Sequence, residues 1–371
     1  MTSTVDHERY MRLALELAQR ALGRTSPNPA VGAVVVQRGR VVGQGYHRRA
    51  GLPHAEVEAL RRAGSRARGA TLYVTLEPCN HTGRTPPCCE AILAAGISRT
   101  VIATRDPNPL TDGRGVARLR RAGVRLVTGV MADEARRLNE PFFKAMRSGL
   151  PLVIVKVGQS LDGKIATAIG ESRWITSAAS RRLAHDWRSR VDALLVGVNT
   201  VLRDDPLLTA RGLRHRADRP LKVIVDSRLR TPPTARCLSA RSPAPTLIAT
   251  TLGASGRRAA LRRRGAEVLA FPARDGRVPL RRVCQALVRR GLHSVLVEGG
   301  GEVIGTAFAE RLVDRVVWFL APLVIGGRAA PNSVAGAGVR RLTQAARVED
   351  VTVTRVGSDL CVEGRVVYPR R

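Results

Sequence analysis

The sequence predicts an α/β protein of two domains. Short apolar runs typical of strands alternate with segments of helical periodicity along most of the chain, which is the pattern of layered α/β folds. A length of 371 residues with 44% hydrophobic content is enough for two buried cores. Gly149 and Pro151 interrupt the pattern before a new strand, so we place a boundary near 148–150, between domains of residues 1–148 and 149–371.

The first domain begins with a helix and a hairpin. Apolar residues at helical spacing predict a helix over 8–22, which the stretch SPNPAVG at 26–32 ends. Residues 30–47 are typical of two strands joined at Arg38–Gly39. The elements that follow are a helix at 54–64 ending at Gly64, a strand at 70–78, a helix at 88–96, a strand at 100–106, a helix at 115–123 and a strand at 124–129.

The second domain continues the alternation. We predict strands at 152–158, 192–198, 221–227, 245–251, 266–271 and 294–300. Helices are predicted near 177–189, 257–264, 279–290 and 302–310. The tail at 351–369 is typical of a hairpin that turns near Gly357–Asp359, and no short-period repeat indicates a solenoid.

The net charge bears on the class of partner. A formal charge of +32 raises the question of nucleic acid. Nearly all basic residues are Arg, since Lys occurs only at positions 144, 156, 164 and 222, and the Arg residues are spread along the whole chain. Aromatic residues make up only 3% of the chain and leave few platforms for stacked bases. We expect a small phosphorylated substrate and no nucleic-acid partner.

The sequence also bears on compartment. No apolar run reaches the roughly 18 residues of a spanning helix, and the N-terminus, MTSTVDHERY, lacks an apolar signal core. We expect a cytoplasmic protein with no membrane partner. Six cysteines in such a chain do not predict a disulfide framework, and Cys237, Cys284 and Cys361 are expected to be core residues.

The other three cysteines cluster near histidines, in the stretch LEPCNHTGRTPPCCE that begins some twenty residues after LPHAEVEAL. A hydrolytic zinc site needs three protein ligands and one open position for water. His54, Cys79 and Cys88 can supply the ligands, and Glu56 follows His54 by two residues on the first turn of a predicted helix. The motif H-x-E followed by P-C is the signature of zinc deaminases. We therefore predict zinc-assisted hydrolytic deamination, with Glu56 moving protons from the water to the ring nitrogen and the leaving ammonia.

Two details of this ligand set stay open. Cys89 is an alternative to Cys88, although we expect it to pack one step round the helix. His81 lies in the loop of eight residues between Cys79 and Cys88 and is an alternative fourth ligand, which would close the water position. We therefore expect His81 to contact substrate, and Arg84 lies in the same loop.

A glycine-rich turn is the main signal in the second domain. No G-x-G-x-x-G follows a strand, so the dinucleotide-binding fingerprint of parallel sheets is missing. The stretch SVLVEGGGEVIGTAF at 294–308 instead runs from a strand through Gly299–Gly301 into a helix. Free N–H groups at a helix start bind phosphate, and glycines let the backbone approach it. The alternative is that this glycine-rich turn only connects the strand to the helix and binds no ligand.

The sequence resembles the bifunctional deaminase–reductases of riboflavin biosynthesis. SPNPAVGAVVV, HAEVEAL, TLEPCNHTGRTPPCCEAI and DPNP look like the deaminase half, and SLDGKIAT, GESRWITS, VGVNTVLRDDPLLTAR, VIVDS and VEGGGEVIGTA look like the reductase half. The matches follow in order over about residues 8–365. The resemblance implies a cytidine-deaminase-like three-layer α/β/α domain followed by a dihydrofolate-reductase-like α/β domain.

The resemblance implies two reactions. The first removes an amine from 2,5-diamino-6-ribosylamino-4(3H)-pyrimidinone 5′-phosphate, and the second reduces the ribosyl group to ribityl with NADPH. In the family, the positions matched by His54, Cys79 and Cys88 hold zinc, and the position matched by Glu56 is the proton shuttle. Zinc and NADPH are thus the expected cofactors. The sequence leaves the oligomeric state open, with a homo-oligomer as one alternative because two-site enzymes of this type often assemble.

The resemblance also implies contacts in the second domain. The positions matching the family's NADPH contacts are Gly158, Trp174, Thr200, Asp204, Ser227, Gly300, Gly301, Glu302, Val303, Ile304, Gly305 and Thr306. The positions matching its substrate contacts are Ser172, Arg188, Leu208, Arg211 and Glu298. Guanidinium groups bind phosphate bidentately, which suits the two arginines. As alternatives, Trp174 is a core residue and Asp204 starts a turn; we also weigh an approach of Lys164 to the substrate.

Three other functions compete with this hypothesis. The first is a nucleic-acid deaminase with an accessory binding domain, which draws on the charge and the H-x-E motif. The second is a zinc-stabilised binding protein without catalysis, which leaves Glu56 unexplained. The third keeps the deaminase but makes the second domain inert.

Overall fold

The computed structural model describes residues 4–83, 86–210, 220–242 and 244–369. The chain divides into two compact units, Met1–Gly149 and Leu150–Arg371. Each unit is built around its own sheet with helices packed on it, so the predicted α/β class is confirmed. Among the described residues, no helix combines the length and apolar character needed to cross a membrane.

The first unit has helices on both faces of a sheet. Its described strands are β1 (Gly32–Gln37), β2 (Arg40–Tyr46), β3 (Thr71–Val74), β4 (Arg99–Ile102) and β5 (Arg125–Thr128). Its described helices are α1 (Thr4–Gln19), α2 (Ala55–Ala63), α3 (Cys88–Ala94), α4 (Arg114–Arg121), α5 (Ala132–Leu138) and α6 (Glu140–Ser148). The strand order is β2-β1-β3-β4-β5, with β1 antiparallel to both neighbours and β3, β4 and β5 parallel.

Glycines on the β1–β2 hairpin let helices approach the sheet from opposite faces. A Cβ on Gly32 would lie 1.9 Å from the carbonyl oxygen of Ala14 in α1, and a Cβ on Gly43 would lie 2.2 Å from that of Ala59 in α2. Successive strand residues face opposite sides, so each helix covers its own core. The hairpin turns at Arg38 and Gly39, both with positive φ, as its two-residue loop requires.

The second unit is built on a larger, mostly parallel sheet. Its described strands are β6 (Leu152–Ser160), β7 (Ala193–Gly197), β8 (Leu221–Val225), β9 (Thr246–Thr250), β10 (Ala266–Ala270), β11 (Ser294–Gly299), β12 (Arg315–Ala321), β13 (Arg347–Val356) and β14 (Asp359–Val367). Its described helices are α7 (Ala178–Ser189), α8 (Val198–Asp204), α9 (Gly256–Arg263), α10 (Leu280–Arg289) and α11 (Gly301–Ala309). The strand order is β10-β9-β8-β7-β11-β6-β12-β14-β13, and only β14 pairs antiparallel, with β12 and β13.

This topology determines where ligands can bind. Parallel strands end at the same edge of a sheet, and open α/β sheets bind ligands outside the carboxyl ends of their strands. Thr200 follows β7, Ser227 follows β8 and Gly300 follows β11, so three residues from distant parts of the chain meet at one edge.

Four of the described strands and α-helices were not predicted. They are strand β12 and helices α5, α6 and α8, each of seven to nine residues. Helix α1 also ends at Gln19 and not at residue 22, because the N–H groups of Arg20 and Ala21 bond three residues back and tighten the chain into turns.

Candidate active sites

The three predicted zinc ligands meet in the first unit. Nδ1 of His54 lies 3.1 Å from Sγ of Cys88 and 3.7 Å from Sγ of Cys79, and the three ligand atoms all lie within 4.8 Å of one another. Usual Zn–N and Zn–S bonds at tetrahedral angles put nitrogen and sulfur about 3.6 Å apart. One imidazole and two thiols at these distances fit a zinc ion.

Two helix starts position these ligands. His54 is the N-cap of α2 and Cys88 is the first residue of α3, whose backbone N–H donates to Sγ of Cys79 over 3.3 Å. The hydrogen bond from the Cys88 thiol lowers the pKa of Cys79 to about 4, and donating that bond raises the pKa of Cys88. The backbone N–H and the thiol of Cys88 thus both favour a thiolate on Cys79, and a thiolate is the form that binds metal.

The structure separates the two adjacent cysteines. The Sγ of Cys89 is buried and donates to the carbonyl oxygens of Pro78 and Gly115, over 3.6 and 3.7 Å. In the part of the chain described, the ligand cluster contains Cys88 and not Cys89. The geometry thus favours Cys88 as the second sulfur ligand.

Glu56 lies beside the cluster. It is the second residue of α2, and its side chain is buried at 4% exposure. Burial raises the pKa of Glu56 to about 7, while the neighbouring His54 opposes the shift. A carboxyl group whose pKa lies near neutrality can both accept and donate protons. A bound metal dication would favour the charged carboxylate and lower this pKa.

The loop between the cysteines contributes one polar atom of interest. Nδ1 of His81 is buried without a hydrogen-bond partner in the described part of the chain, and His81 is not a member of the ligand cluster found there. A buried nitrogen of this kind is available to a ligand. Arg84 lies outside the described residues.

A cavity of about 850 Å³ lies at the carboxyl ends of β7, β8 and β11. Its walls include nine of the predicted residues: Ser172, Thr200, Asp204, Ser227, Gly300, Gly301, Glu302, Val303 and Thr306. Five arginines also line it: Arg203, Arg228, Arg230, Arg277 and Arg328. Four carboxylates line it as well: Asp204, Asp226, Asp275 and Glu302. The size of the cavity and its guanidinium groups suit an anionic ligand such as a dinucleotide.

The glycine turn serves packing more than predicted. The N–H of Gly300 donates to Oγ1 of Thr200 over 3.2 Å and joins two walls of the cavity. A Cβ on Gly301 would lie 2.4 Å from the carbonyl oxygen of Asn332, and a Cβ on Gly305 would lie 1.8 Å from that of Ala335. These two glycines therefore make room for a neighbouring segment of the protein, whatever they also do for an anion in the cavity.

Four predicted cofactor positions are not among the cavity-lining residues: Gly158, Trp174, Ile304 and Gly305. Ile304 is buried in the core, and the covered Gly305 lies one residue further along. Gly158 lies on β6, where Cγ2 of Thr176 is 3.1 Å from the position that a Cβ would take.

Trp174 does not fit its structural alternative as a core residue, whereas Asp204 lies at a helix end where the chain turns, as its alternative has it. Trp174 is 69% exposed, and the guanidinium of Arg181 lies 4.2 Å from its ring centre, so it is not a core residue. Asp204 ends α8 and lines the cavity, and its Oδ1 accepts a hydrogen bond from Ser172 over 3.3 Å.

Two predicted substrate residues form a buried ion pair. Nε and one terminal nitrogen of Arg188 donate to the two carboxylate oxygens of Glu298 over 2.7 and 2.5 Å, and its other terminal nitrogen donates to the carbonyl oxygen of Thr209. Burial alone would raise the pKa of Glu298, but Arg188 and Lys156 hold it at about 2. Leu208 is buried next to Thr209, and Arg211 lies outside the described residues.

Sequence reasoning missed Lys156. Its Nζ lies 3.9 Å from Glu298, and burial lowers its pKa while Glu298 opposes the shift. A signal was present, because this is one of only four lysines in an Arg-rich chain and it interrupts the apolar strand LVIVKVG. We therefore add Lys156 to the candidate residues of the second site.

Comparisons with known proteins agree with this division of the chain. The family model described as the cytidine and deoxycytidylate deaminase zinc-binding region matches residues 4–104. The model of the RibD C-terminal domain matches residues 151–362, more than half of the chain.

Curated relatives match nearly the full length. The riboflavin biosynthesis protein RibD of Aquifex aeolicus (strain VF5) is 44% identical over 353 residues, which cover 95% of this chain and 96% of the relative. RibD of Escherichia coli (strain K12) is 41% identical over 366 residues, covering 96% and 98%.

Solved structures give the same result. Acinetobacter baumannii RibD superposes with a TM-score of 0.88 at 37% identity, over 98% of this chain and 99% of that one. A Thermotoga maritima protein named as a diaminohydroxyphosphoribosylaminopyrimidine deaminase/5-amino-6-(5-phosphoribosylamino)uracil reductase has a TM-score of 0.84 at 34% identity, over 98% and 99%. With a zinc-binding deaminase domain followed by a reductase domain, the chain belongs to the RibD family of bifunctional deaminase–reductases in riboflavin biosynthesis.

Proposed function

We propose that His54, Cys79 and Cys88 hold the zinc ion of the deaminase and that Glu56 moves the protons. The observation that carries this proposal is the cluster of one imidazole and two thiols with a buried carboxyl group beside it. A zinc ion held there acts as a Lewis acid and lowers the pKa of water towards neutrality. Three protein ligands leave a tetrahedral site one position short, which is the pattern of catalytic zinc.

The position of Glu56 suits it to the proton transfers of the reaction. Hydrolytic deamination consumes one water and releases one ammonia, so the water loses both protons: one goes to the ring nitrogen and one to the leaving amine, while the oxygen stays on the ring carbon as the new carbonyl. Glu56 accepts each proton in turn and passes it on to the substrate, which needs a carboxyl group shielded from bulk solvent. The buried Nδ1 of His81 supports a contact between that loop and the substrate ring.

We infer the substrate of this first site from the relatives. The Thermotoga maritima protein is named for a phosphoribosylaminopyrimidine, and the substrate proposed here is 2,5-diamino-6-ribosylamino-4(3H)-pyrimidinone 5′-phosphate. A small phosphorylated pyrimidine also suits the charge of +32. A nucleic-acid deaminase finds no support, since the second unit matches a RibD C-terminal domain and not an accessory binding domain.

For the second unit we propose NADPH as the reductant. Support comes from the cavity, whose glycine turn, helix start and five arginines suit the phosphates of a dinucleotide. Bound NADPH supplies the hydride, so the residues of the chain have to position both reactants. Eight of the twelve predicted cofactor residues line this cavity.

We propose that Ser172, Arg188, Leu208, Arg211 and Glu298 form the substrate side of the reductase site, together with Lys156. Ser172 connects the two sides, since it lines the cavity and donates to Asp204. The buried carboxylate of Glu298 keeps Arg188 and Lys156 charged and fixed in place.

One experiment tests both halves. The purified protein is incubated with the phosphorylated diaminopyrimidine, with and without NADPH, while ammonia and the absorbance of NADPH are followed. We expect ammonia in both samples and NADPH oxidation only after deamination. Ammonia release without any NADPH oxidation or NADPH binding would identify an inert reductase unit.

A further inference from the structure

One segment of the second unit, residues 323–335, forms a strap across the cavity wall. The strap contributes Arg328–Asn332 and Ala335 to the lining. On one side it contacts the loop at 160–165, and on the other it contacts the start of α11. Neither Asp162 nor Lys164 in the loop is among the cavity-lining residues.

Two side chains of the loop bind the strap. Asp162 accepts the N–H groups of Ile325 and Gly326 over 3.1 and 2.7 Å. Nζ of Lys164 donates to the carbonyl oxygen of Ala330 over 3.2 Å and to Oδ1 of Asn332 over 2.8 Å. The Ser160 hydroxyl and the two strap N–H groups lower the pKa of Asp162 to about 2, so it is a carboxylate at neutral pH.

Backbone hydrogen bonds also join the loop at 160–165 to the strap. The N–H groups of Leu161 and Ile165 donate to the carbonyl oxygens of Leu323 and Pro331, over 2.8 and 3.0 Å. In return, the N–H of Ser333 donates to the carbonyl oxygen of Gly163 over 3.1 Å.

The opposite edge of the strap lies on the glycines of α11. The N–H of Ala335 donates to the carbonyl oxygen of Gly301 over 3.1 Å. Because Gly301 and Gly305 have no Cβ, the strap backbone comes within a distance that any larger residue would block. The loop thus holds the strap against the same turn that the proposed cofactor needs.

We propose that Asp162 and Lys164 are positioning residues for the reductase cofactor, which hold the strap so that its wall, with the Arg328 guanidinium, faces the phosphates of a dinucleotide. This inference rests on the proposed function of the cavity. It gives Lys164 a different task from the approach to substrate considered on sequence grounds, because its ammonium group is bonded to the strap.

The test uses the full-length protein and NADPH as the probe. Lys164→Met removes two hydrogen bonds, and Asp162→Asn places an amide where two N–H groups need acceptors. All three tryptophans, at 174, 187 and 318, lie in the second unit, so their fluorescence reports both NADPH binding and unfolding of that unit. We expect the Kd for NADPH to rise about tenfold in each variant, with the ammonia-releasing rate unchanged. Lys144→Met, in the first unit, is the matched control and should leave the Kd unchanged.

The titration distinguishes positioning from plain loss of fold. A variant whose second unit is partly unfolded without ligand shows an apparent Kd raised by the inverse of its folded fraction, and tryptophan fluorescence of the unliganded protein measures that fraction; a rise in Kd that the folded fraction fully accounts for would overturn the proposal. An unchanged Kd in two fully folded variants would overturn it as well. If the wild-type protein binds no NADPH, the proposed function of the cavity fails first, and the inference fails with it.

Discussion

The backbone N–H of Cys88 donates to Sγ of Cys79 over 3.3 Å, although eight residues separate the two cysteines. The two ends of the intervening loop therefore lie next to each other, and the first residue of α3 contacts the sulfur of a proposed metal ligand. Helix starts are favourable places for an ionised thiol, since free N–H groups point outward there.

This relationship makes adjacent cysteines separable by experiment. Cys88→Ala should remove most of the bound zinc and the deaminase activity, since it deletes a ligand of the cluster. Cys89→Ala should keep the zinc, because its sulfur points to the carbonyl groups of Pro78 and Gly115. Zinc content by elemental analysis decides between them. Loss of zinc in the Cys89 variant alone would reverse the assignment.

Glu56→Gln should keep the zinc and lose the deaminase. The amide fills the same volume but cannot accept a proton, so we expect a drop of at least about 10²-fold in the rate of ammonia release. Glu58→Gln is the control, because Glu58 is also buried on α2 but binds Arg61. A Glu56 variant that still releases ammonia at the wild-type rate would remove Glu56 from the mechanism.

Chelation should separate the two reactions. Only the first unit carries the zinc-ligand cluster found among the described residues, so stripping the metal should stop ammonia release. Oxidation of NADPH should continue when the deaminated product is supplied directly. Equal loss of both activities would contradict two independent sites.

Glu298→Gln should destabilise the second unit at neutral pH. The change leaves Arg188 and Lys156 buried without their carboxylate, which costs about 3 kcal/mol. The folded-state pKa of Glu298 is about 2, below its ordinary value of 4.5, so its contribution is present above pH 4.5 and is lost as pH falls towards 2. Urea unfolding followed by tryptophan fluorescence should show a gap between wild type and variant that is full at pH 7 and smaller at pH 3.5. A gap that does not depend on pH would exclude the charge as its cause.

The meeting of His54, Cys79 and Cys88 could be predicted from sequence because their spacing is local. His54 and Glu56 share one helix turn, and Cys79 and Cys88 flank one loop. The choice between Cys88 and Cys89 needed the structure. It depends on the direction in which each side chain leaves α3 and on the carbonyl oxygens of Pro78 and Gly115, which accept from Cys89.

The residues of the proposed reductase site were harder to predict from sequence because their contacts are distant along the chain. Gly301 and Gly305 have to be glycine because a segment some thirty residues later in the chain packs against them, and no local sequence pattern indicates that contact. Lys156 likewise acquires its significance from Glu298, which lies on a strand paired with its own although far away in sequence. Strand β12 was not predicted although its seven residues include the apolar run VVWFLA; it lies between β6, to which it is parallel, and β14, to which it is antiparallel.

Glu77 leads to a last prediction, about the support of the zinc site. The N-cap residue of helix α4 is Gly113, which has no side chain to cap the helix. The buried carboxylate of Glu77, which is distant in sequence, caps the helix instead. It accepts hydrogen bonds from the N–H groups of Gly113 and Val116 over 3.0 Å each and from that of Asp106 over 3.3 Å. A negative charge at a helix start is favourable, and here it ties α4 to the strand end that leads into Cys79.

Glu77→Gln should therefore lower the stability of the first unit by about 1–2 kcal/mol, because one carboxylate oxygen is replaced by an amide that faces N–H donors. The measurement is the midpoint of thermal inactivation of ammonia release. Tryptophan fluorescence of the same sample gives the midpoint of the second unit, which should stay unchanged and serves as the internal control. Because the cap acts through the backbone of the Pro78–Cys79 segment, zinc release on heating should move to lower temperature with the inactivation midpoint. If the inactivation midpoint stays at its wild-type value, α4 does not depend on Glu77 for its cap.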